Sequence, residues 1–419
     1  MTEQFYLWEN NYMQPIHLKY RQVRIALSLL VMALVAVSCS DDNPTTEQAK
    51  DVTLVSSKLV YSVPAQQVQL LALLSLPNID VSKFVNTVDV YTVTYNTTYK
   101  GANIVASGLV ALPTSKSEFP MISYQHGTIL TDAEAPSNFS VEKAETLVSV
   151  TLASAGLITV IPDYLGFGSS VSMLHPYFIE DLYTSAVTDM LKAAKELAVQ
   201  KKITFSGKLF LAGYSEGGYA TMATHKSIET NGLDGFELVA SFPGAGAYDL
   251  QALQQTLLTS EDYDDPFYLA YIALAYQTTY SFPSLLTDFF QEPYAGRIPA
   301  LFDHQTVSSE INSQLTTSIA DLTQPNLAAN IMNNASYAYI KTAFQNNSLT
   351  DWTPKKKMFM YHGTSDTTVP FQNSVGTFDA LKANGASDDI ISLTPLPGDH
   401  SSAVTPYVAD LLVKLFSLK

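Results

Sequence analysis

The chain has 419 residues, 47% of them hydrophobic and 15% charged, and a formal net charge of -16. Those proportions belong to a chain that buries a large core, and they exclude a disordered protein or a small stapled scaffold. An acidic surface excludes nucleic acid as a partner, because polyphosphate binding needs clustered Lys and Arg. The lone cysteine, Cys39, excludes an intrachain disulfide and a Cys-rich zinc site.

In chain order, Lys19, Arg21 and Arg24 precede an apolar run from Ile25 to Val37, then Ser38 and Cys39. The run is shorter than the roughly 20 residues that span a bilayer, and a basic flank before an apolar core reads as a secretory signal. Residues before about Met13 read as sequence upstream of the true start. Ala36-Val37-Ser38-Cys39 resembles a bacterial lipobox. That resemblance implies cleavage after residue 38, a lipid on Cys39 and an exported protein anchored to the outer membrane, at its surface or within. Ala36 stands where Leu is usual, which leaves conventional cleavage or an ordinary buried cysteine as the alternatives. Ser40-Asp41-Asp42 is similar to the acidic start of surface lipoproteins in the Bacteroides group. Residues 39–50 read as a polar linker, with folded structure starting just after Lys50.

From Val88 to Thr98 apolar and polar residues alternate, and Lys100 to Asn103 offers turn chemistry before Ile104 to Leu112, so a β-hairpin is expected. Short apolar strands then alternate with helical periodicity, the pattern of parallel βαβ units. The strands are expected at 121–124, 157–161, 208–212, 238–242, 357–361 and 390–394. The helices are expected at 141–155, 181–200, 217–230, 371–384 and 402–418. The expected fold is α/β, a mostly parallel doubly wound sheet over 51–246 and 354–419. The rhythm breaks from 247 to 353, where aromatic residues crowd helical stretches with no clear strands. This segment is expected to be a cap over a pocket; the alternative is a helical subdomain with a core of its own and no ligand contact.

Gly213-Tyr214-Ser215-Glu216-Gly217 is a G-x-S-x-G motif placed where the strand at 208–212 meets the next helix. Such a tight turn lifts a serine hydroxyl into reach and tolerates only small residues beside it, which makes Ser215 the candidate nucleophile. The N-H of Glu216, at the positive end of the following helix, is a candidate oxyanion donor. A serine hydroxyl needs a histidine base, and that ring needs a carboxylate to orient it. At the C-terminal ends of later strands, Asp366 and His400 supply both in the order Ser, Asp, His. His362 is read as shaping the loop before Asp366. Asp399, the rival acid, is adjacent to His400 and badly placed to orient its ring. Tyr124-Gln125-His126-Gly127-Thr128 follows an early strand, and the Thr128 N-H is the candidate second oxyanion donor, with Gly127 N-H as the alternative. In Asp163-Tyr164-Leu165-Gly166-Phe167-Gly168, Tyr164 is a possible substrate contact, although loop architecture is the competing role. No spacing suggests a metal or a cofactor.

The motifs Tyr124 to Thr128, Pro162 to Gly166 and Gly213 to Gly218 resemble the secretory lipase branch of the α/β-hydrolase superfamily, over a stretch from about Val88 to the C-terminus. The resemblance implies a Ser-His-Asp esterase or lipase acting on small-molecule or lipid esters, with a helical cap between the sixth and seventh strands. Glu216 stands where that branch commonly has Gln, and its carboxylate is expected to disfavour anionic substrates. A serine peptidase of the prolyl-oligopeptidase type would use the same machinery but lacks a propeller-sized region here. A surface binding lipoprotein without turnover is the third reading.

Overall fold

The computed structural model describes residues 52–75 and 80–419. The expected signal and the whole of the expected linker, Cys39 included, lie outside them. Leu54–Val63 forms β1, a strand not expected from the sequence: its LVSSKLVYSV run has no clean period of two, and its pairing shifts register between Leu54 and Ser56 and again between Leu59 and Tyr61. It pairs antiparallel with β2 (Val88–Tyr99), which pairs antiparallel with β3 (Ala102–Pro113). The β2–β3 hairpin turns on Lys100 and Gly101 alone, both at positive φ, 50° and 77°. That is the turn whose twist matches the flanking strands, so Ala102 and Asn103, expected in the turn, instead begin β3.

Parallel pairing takes over in β4 (Glu118–Gln125), β5 (Ile158–Pro162), β6 (Thr204–Tyr214), β7 (Glu237–Gly244), β8 (Lys357–Gly363) and β9 (Ile391–Leu396). The nine strands make one sheet in the order β1-β2-β3-β5-β4-β6-β7-β8-β9. Alternation along β6 feeds two cores. Leu209 and Leu211 join the hydrophobic cluster on one face, and Phe210 and Ala212 join that on the other. Helices Glu180–Gln200 and Glu216–Asn231 pack on the first face; Ala65–Ser75, Ala144–Ser154 and Val404–Leu418 pack on the second. A strand buried on both faces reads as a continuous apolar run, and each Leu or Phe it buries stabilises the fold by roughly 2 kcal/mol. This is the α/β-hydrolase fold, with the antiparallel hairpin at one edge.

Between β7 and β8 the chain is helical, from Leu250–Leu258 through Phe267–Tyr280 to Ala338–Asn346. Two isolated antiparallel bridges, Asp262 with Ser318 and Phe290 with Thr323, tie these helices together. Because β1 adds a strand at the start, the segment follows the seventh strand rather than the sixth. Phe267 and every residue from Leu269 to Tyr276 are buried, so this helix is apolar all round as far as Tyr276, and its last turn, Gln277 to Tyr280, reaches solvent. Its side chains belong to the same hydrophobic cluster as Leu211 of β6 and Tyr219 of the following helix. Among the described residues no helix is long and apolar enough to cross a membrane.

Candidate active site

Ser215 joins β6 to helix Glu216–Asn231 at φ 61° and ψ -124°, a backbone state that costs a side-chain-bearing residue about 1–3 kcal/mol. Packing enforces it. The Ser215 N-H donates to the Gly244 carbonyl at 2.9 Å, and the Ser215 carbonyl accepts from Tyr219 N-H at 3.1 Å. A β-carbon on Gly217 would lie 2.0 Å from the Gln125 oxygen, and one on Gly218 would lie 2.1 Å from the Gly244 oxygen. The turn is therefore clamped between the ends of β4 and β7, which only glycine permits. From below, the Tyr407 hydroxyl accepts from Gly213 N-H at 3.0 Å and donates to the Phe242 carbonyl at 2.8 Å.

His400, on the loop after β9, places Nε2 2.8 Å from Ser215 Oγ and Nδ1 2.6 Å from Asp366 Oδ2. The carboxylate assigns the ring proton to Nδ1, which leaves Nε2 as the acceptor facing the serine hydroxyl. The Tyr214 hydroxyl donates to the His400 carbonyl at 2.9 Å and fixes the loop. Asp366, after β8, has a fully buried carboxylate. It also accepts from Val369 N-H at 2.9 Å and from His362 Nε2 at 3.1 Å. Burial pushes its pKa up, but the hydrogen bonds from His362 and His400 outweigh burial and hold it at about 2. His362 shares its Nε2 proton with the Val369 carbonyl at 2.8 Å and faces Ser374 Oγ through Nδ1 at 2.6 Å, so it braces the Asp366 loop. Asp399 is occupied elsewhere, accepting from Ser401 N-H, Ser402 N-H and the Ser402 hydroxyl.

The loop after β4 passes beside Ser215: a β-carbon on Gly127 would lie 3.7 Å from Ser215 Cβ. Thr128 Oγ1 is 2.7 Å from the Tyr177 hydroxyl, which anchors the loop next to Ser215. As the first residue of its helix, Glu216 has an N-H with no intrahelical partner. Its carboxylate is buried, accepting from the Tyr183 hydroxyl at 2.8 Å and lying 3.1 Å from His175 Nε2. The Glu216 side chain is thus committed to a buried cluster. Tyr164 does not line the cavity described below. Its ring is buried and its hydroxyl donates to the His126 carbonyl at 3.1 Å, which makes it a brace of the Gly127–Thr128 loop, in keeping with the loop-architecture reading.

Ser215 lies in the wall of a cavity of about 540 Å³, a volume that includes its opening to solvent, lined mainly by apolar side chains. Leu250, Leu253, Leu257, Leu269 and Ile272 come from the inserted helices, and Tyr177 and Phe178 from the loop before helix Glu180–Gln200. Sequence reasoning did not single out these wall residues, nor Tyr407. The three- and four-residue spacing of Leu250, Leu253 and Leu257 was the available signal, but it marks a buried face without saying that the face meets a cavity.

Fold and elbow together define an α/β-hydrolase, and comparison narrows the class. The sequence model of the secretory lipase family matches residues 132–393, more than half of the chain, so the chain belongs to that family and is a carboxylic ester hydrolase. A candidate hydrolase from Legionella pneumophila is 26% identical at a TM-score of 0.76, over 87% of this chain and 98% of that one. A ligand-bound form of the rice cell wall degrading esterase LipA from Xanthomonas oryzae is 25% identical at a TM-score of 0.75, over 88% and 99% of the two chains. Candida antarctica lipase A in its closed state shares the fold at 17% identity and a TM-score of 0.60, over 84% and 79%. No protein with a curated description matches the sequence.

Proposed function

We propose that this ester hydrolase works through an acyl-enzyme on Ser215. His400 takes the Ser215 proton as the oxygen attacks the ester carbonyl, Asp366 holds the ring and stabilises its charged form, and the N-H groups of Glu216 and Thr128 receive the oxyanion. His400 then returns the proton to the leaving alcohol, and a water activated by the same ring cleaves the acyl-enzyme. Residues 247–353 serve as the cap, and the acyl part enters the apolar cavity they line, which favours apolar or aryl acyl groups. The observation that carries this reading is the unbroken chain Ser215 Oγ, His400, Asp366 at 2.8 Å and 2.6 Å, opening onto that cavity. Export fits the family, and anchoring through lipid on Cys39 is part of the proposal; a Cys39→Ser variant should lose palmitate label and membrane sedimentation.

Ser215→Ala tests the chemistry. Hydrolysis of p-nitrophenyl esters should fall by at least about 10³-fold and fluorophosphonate labelling should vanish. Retained turnover would reject Ser215 as the nucleophile.

A further inference from the structure

We propose that Gln254 is a specificity-determining residue that donates a hydrogen bond to an oxygen atom in the acyl part of the ester, so that the preferred substrates carry an ether, carbonyl or hydroxyl oxygen beyond the scissile carbonyl. The inference rests on the reading above in placing the acyl part in the cavity. Helix Leu250–Leu258 presents Leu250, Leu253, Gln254 and Leu257 at three- and four-residue spacing, and all four line the cavity beside Ser215. Three are leucine; the fourth is an amide, 3% exposed, whose Nε2 has no hydrogen-bond partner among the described residues. Its Oε1 is at the outer limit of a hydrogen bond, 3.5 Å from Gln255 Nε2, and that nitrogen already donates to the Ala328 carbonyl at 3.0 Å. A buried donor left unpaired destabilises the fold, and a leucine would continue the stripe without that cost. A bound oxygen acceptor in an otherwise apolar cavity gives the donor its partner. It also makes the site discriminate between substrates with and without that oxygen, because only the former satisfies the amide.

The test compares p-nitrophenyl alkanoates with chain-length-matched acyl esters in which one methylene is replaced by oxygen or a carbonyl, scanned along the chain, and with esters oxygenated only in the alcohol. The wild-type enzyme should prefer one acyl-oxygenated position over the plain alkanoate by about tenfold in kcat/KM, the factor one added hydrogen bond supports. In Gln254→Met and Gln254→Leu the oxygenated ester should lose and the plain ester gain until the ratio is near one, while Tm rises. No preference at any acyl position, a preference confined to the alcohol, a ratio unmoved in the variants, or a lowered Tm would each overturn the assignment. Turnover of the plain alkanoates and fluorophosphonate labelling of the wild-type enzyme report separately on the Ser215 mechanism, so the two ideas fail in different arms.

Discussion

Ser215, Asp366 and His400 each follow the end of a sheet strand, β6, β8 and β9, whereas most of the cavity wall beside Ser215 comes from the helices inserted between β7 and β8. The two regions meet different physical demands. Groups held at hydrogen-bond distances of 2.6 to 2.8 Å hang here from the ends of sheet strands, β6 and β8 paired on both sides and β9 paired with β8 at the sheet edge, and the elbow is clamped by glycine contacts to two neighbouring strands. A wall for an apolar group needs apolar area and a shape, which the helices Leu250–Leu258, Phe267–Tyr280 and Ala338–Asn346 supply without a sheet. The proposed mechanism therefore assigns chemistry to the sheet half and selectivity to the inserted half. Substitutions in the first should change the rate for every ester, and substitutions in the second should change which ester is taken.

The largest effect that separates the halves is expected at Asp366. Asp366→Asn removes the acceptor that fixes the His400 tautomer, so kcat should fall by about 10³–10⁴-fold for short and long esters alike. Steady-state kinetics over a chain-length series checks this; a loss confined to one chain length would place Asp366 among the specificity residues instead. The same carboxylate predicts a pH signature. Its pKa is depressed from 3.8 to about 2 in the folded protein, which corresponds to roughly 2 kcal/mol of stability that is fully present above about pH 4 and is lost as pH falls through about 2. Acid unfolding followed by circular dichroism should therefore be less steep between pH 4 and 2 in Asp366→Asn than in the wild type.

Legibility follows the same division. The residues of the hydrogen-bonded series Ser215, His400 and Asp366 could be singled out because each sits directly after an apolar strand, and the strands buried on both faces, β5 and β6, announce themselves as continuous apolar runs. β1 escaped because its two register shifts erase the period of two and much of its surface is exposed. The inserted segment showed its existence and its aromatic content but not its wall: helix Phe267–Tyr280 is apolar on every side through Tyr276, so its sequence cannot say which side faces the cavity. Tyr164 was open to two roles for a related reason. A tyrosine on an active-site loop can turn its hydroxyl to solvent or to backbone, and the choice here depends on a carbonyl of His126 that arrives from a different strand.

A smaller and selective effect is expected in the wall. Leu253, partly buried where it lines the cavity, becomes Trp in a variant that fills part of that space. Activity on long-chain esters should drop by about 10–100-fold, the scale on which apolar pockets discriminate by size, while acetate and propionate esters stay within a few-fold of wild type. A uniform drop across chain lengths would mean that the bulky ring has disturbed Ser215 rather than shortened the pocket, and the division of labour between the halves would fail.

The smallest effect tests whether the sheet half is held as tightly as its geometry implies. The Tyr407 hydroxyl, fully buried, is the acceptor for Gly213 N-H and a donor to the Phe242 carbonyl, so it joins the C-terminal helix to β6 and β7 just beneath the elbow. Tyr407→Phe keeps the ring, which packs against Tyr214 at 5.2 Å between centroids, and leaves the Gly213 N-H without this partner. An unpaired buried donor costs about 1–3 kcal/mol, which denaturant unfolding should register as a lower midpoint with an unchanged slope. Because Ser215 is also held by Gly244, Tyr219 and the glycine contacts, kcat should change by no more than a few-fold. A loss of rate as large as that of Asp366→Asn would show that the elbow depends on this one hydroxyl, and the picture of a turn clamped by several redundant contacts would have to be given up.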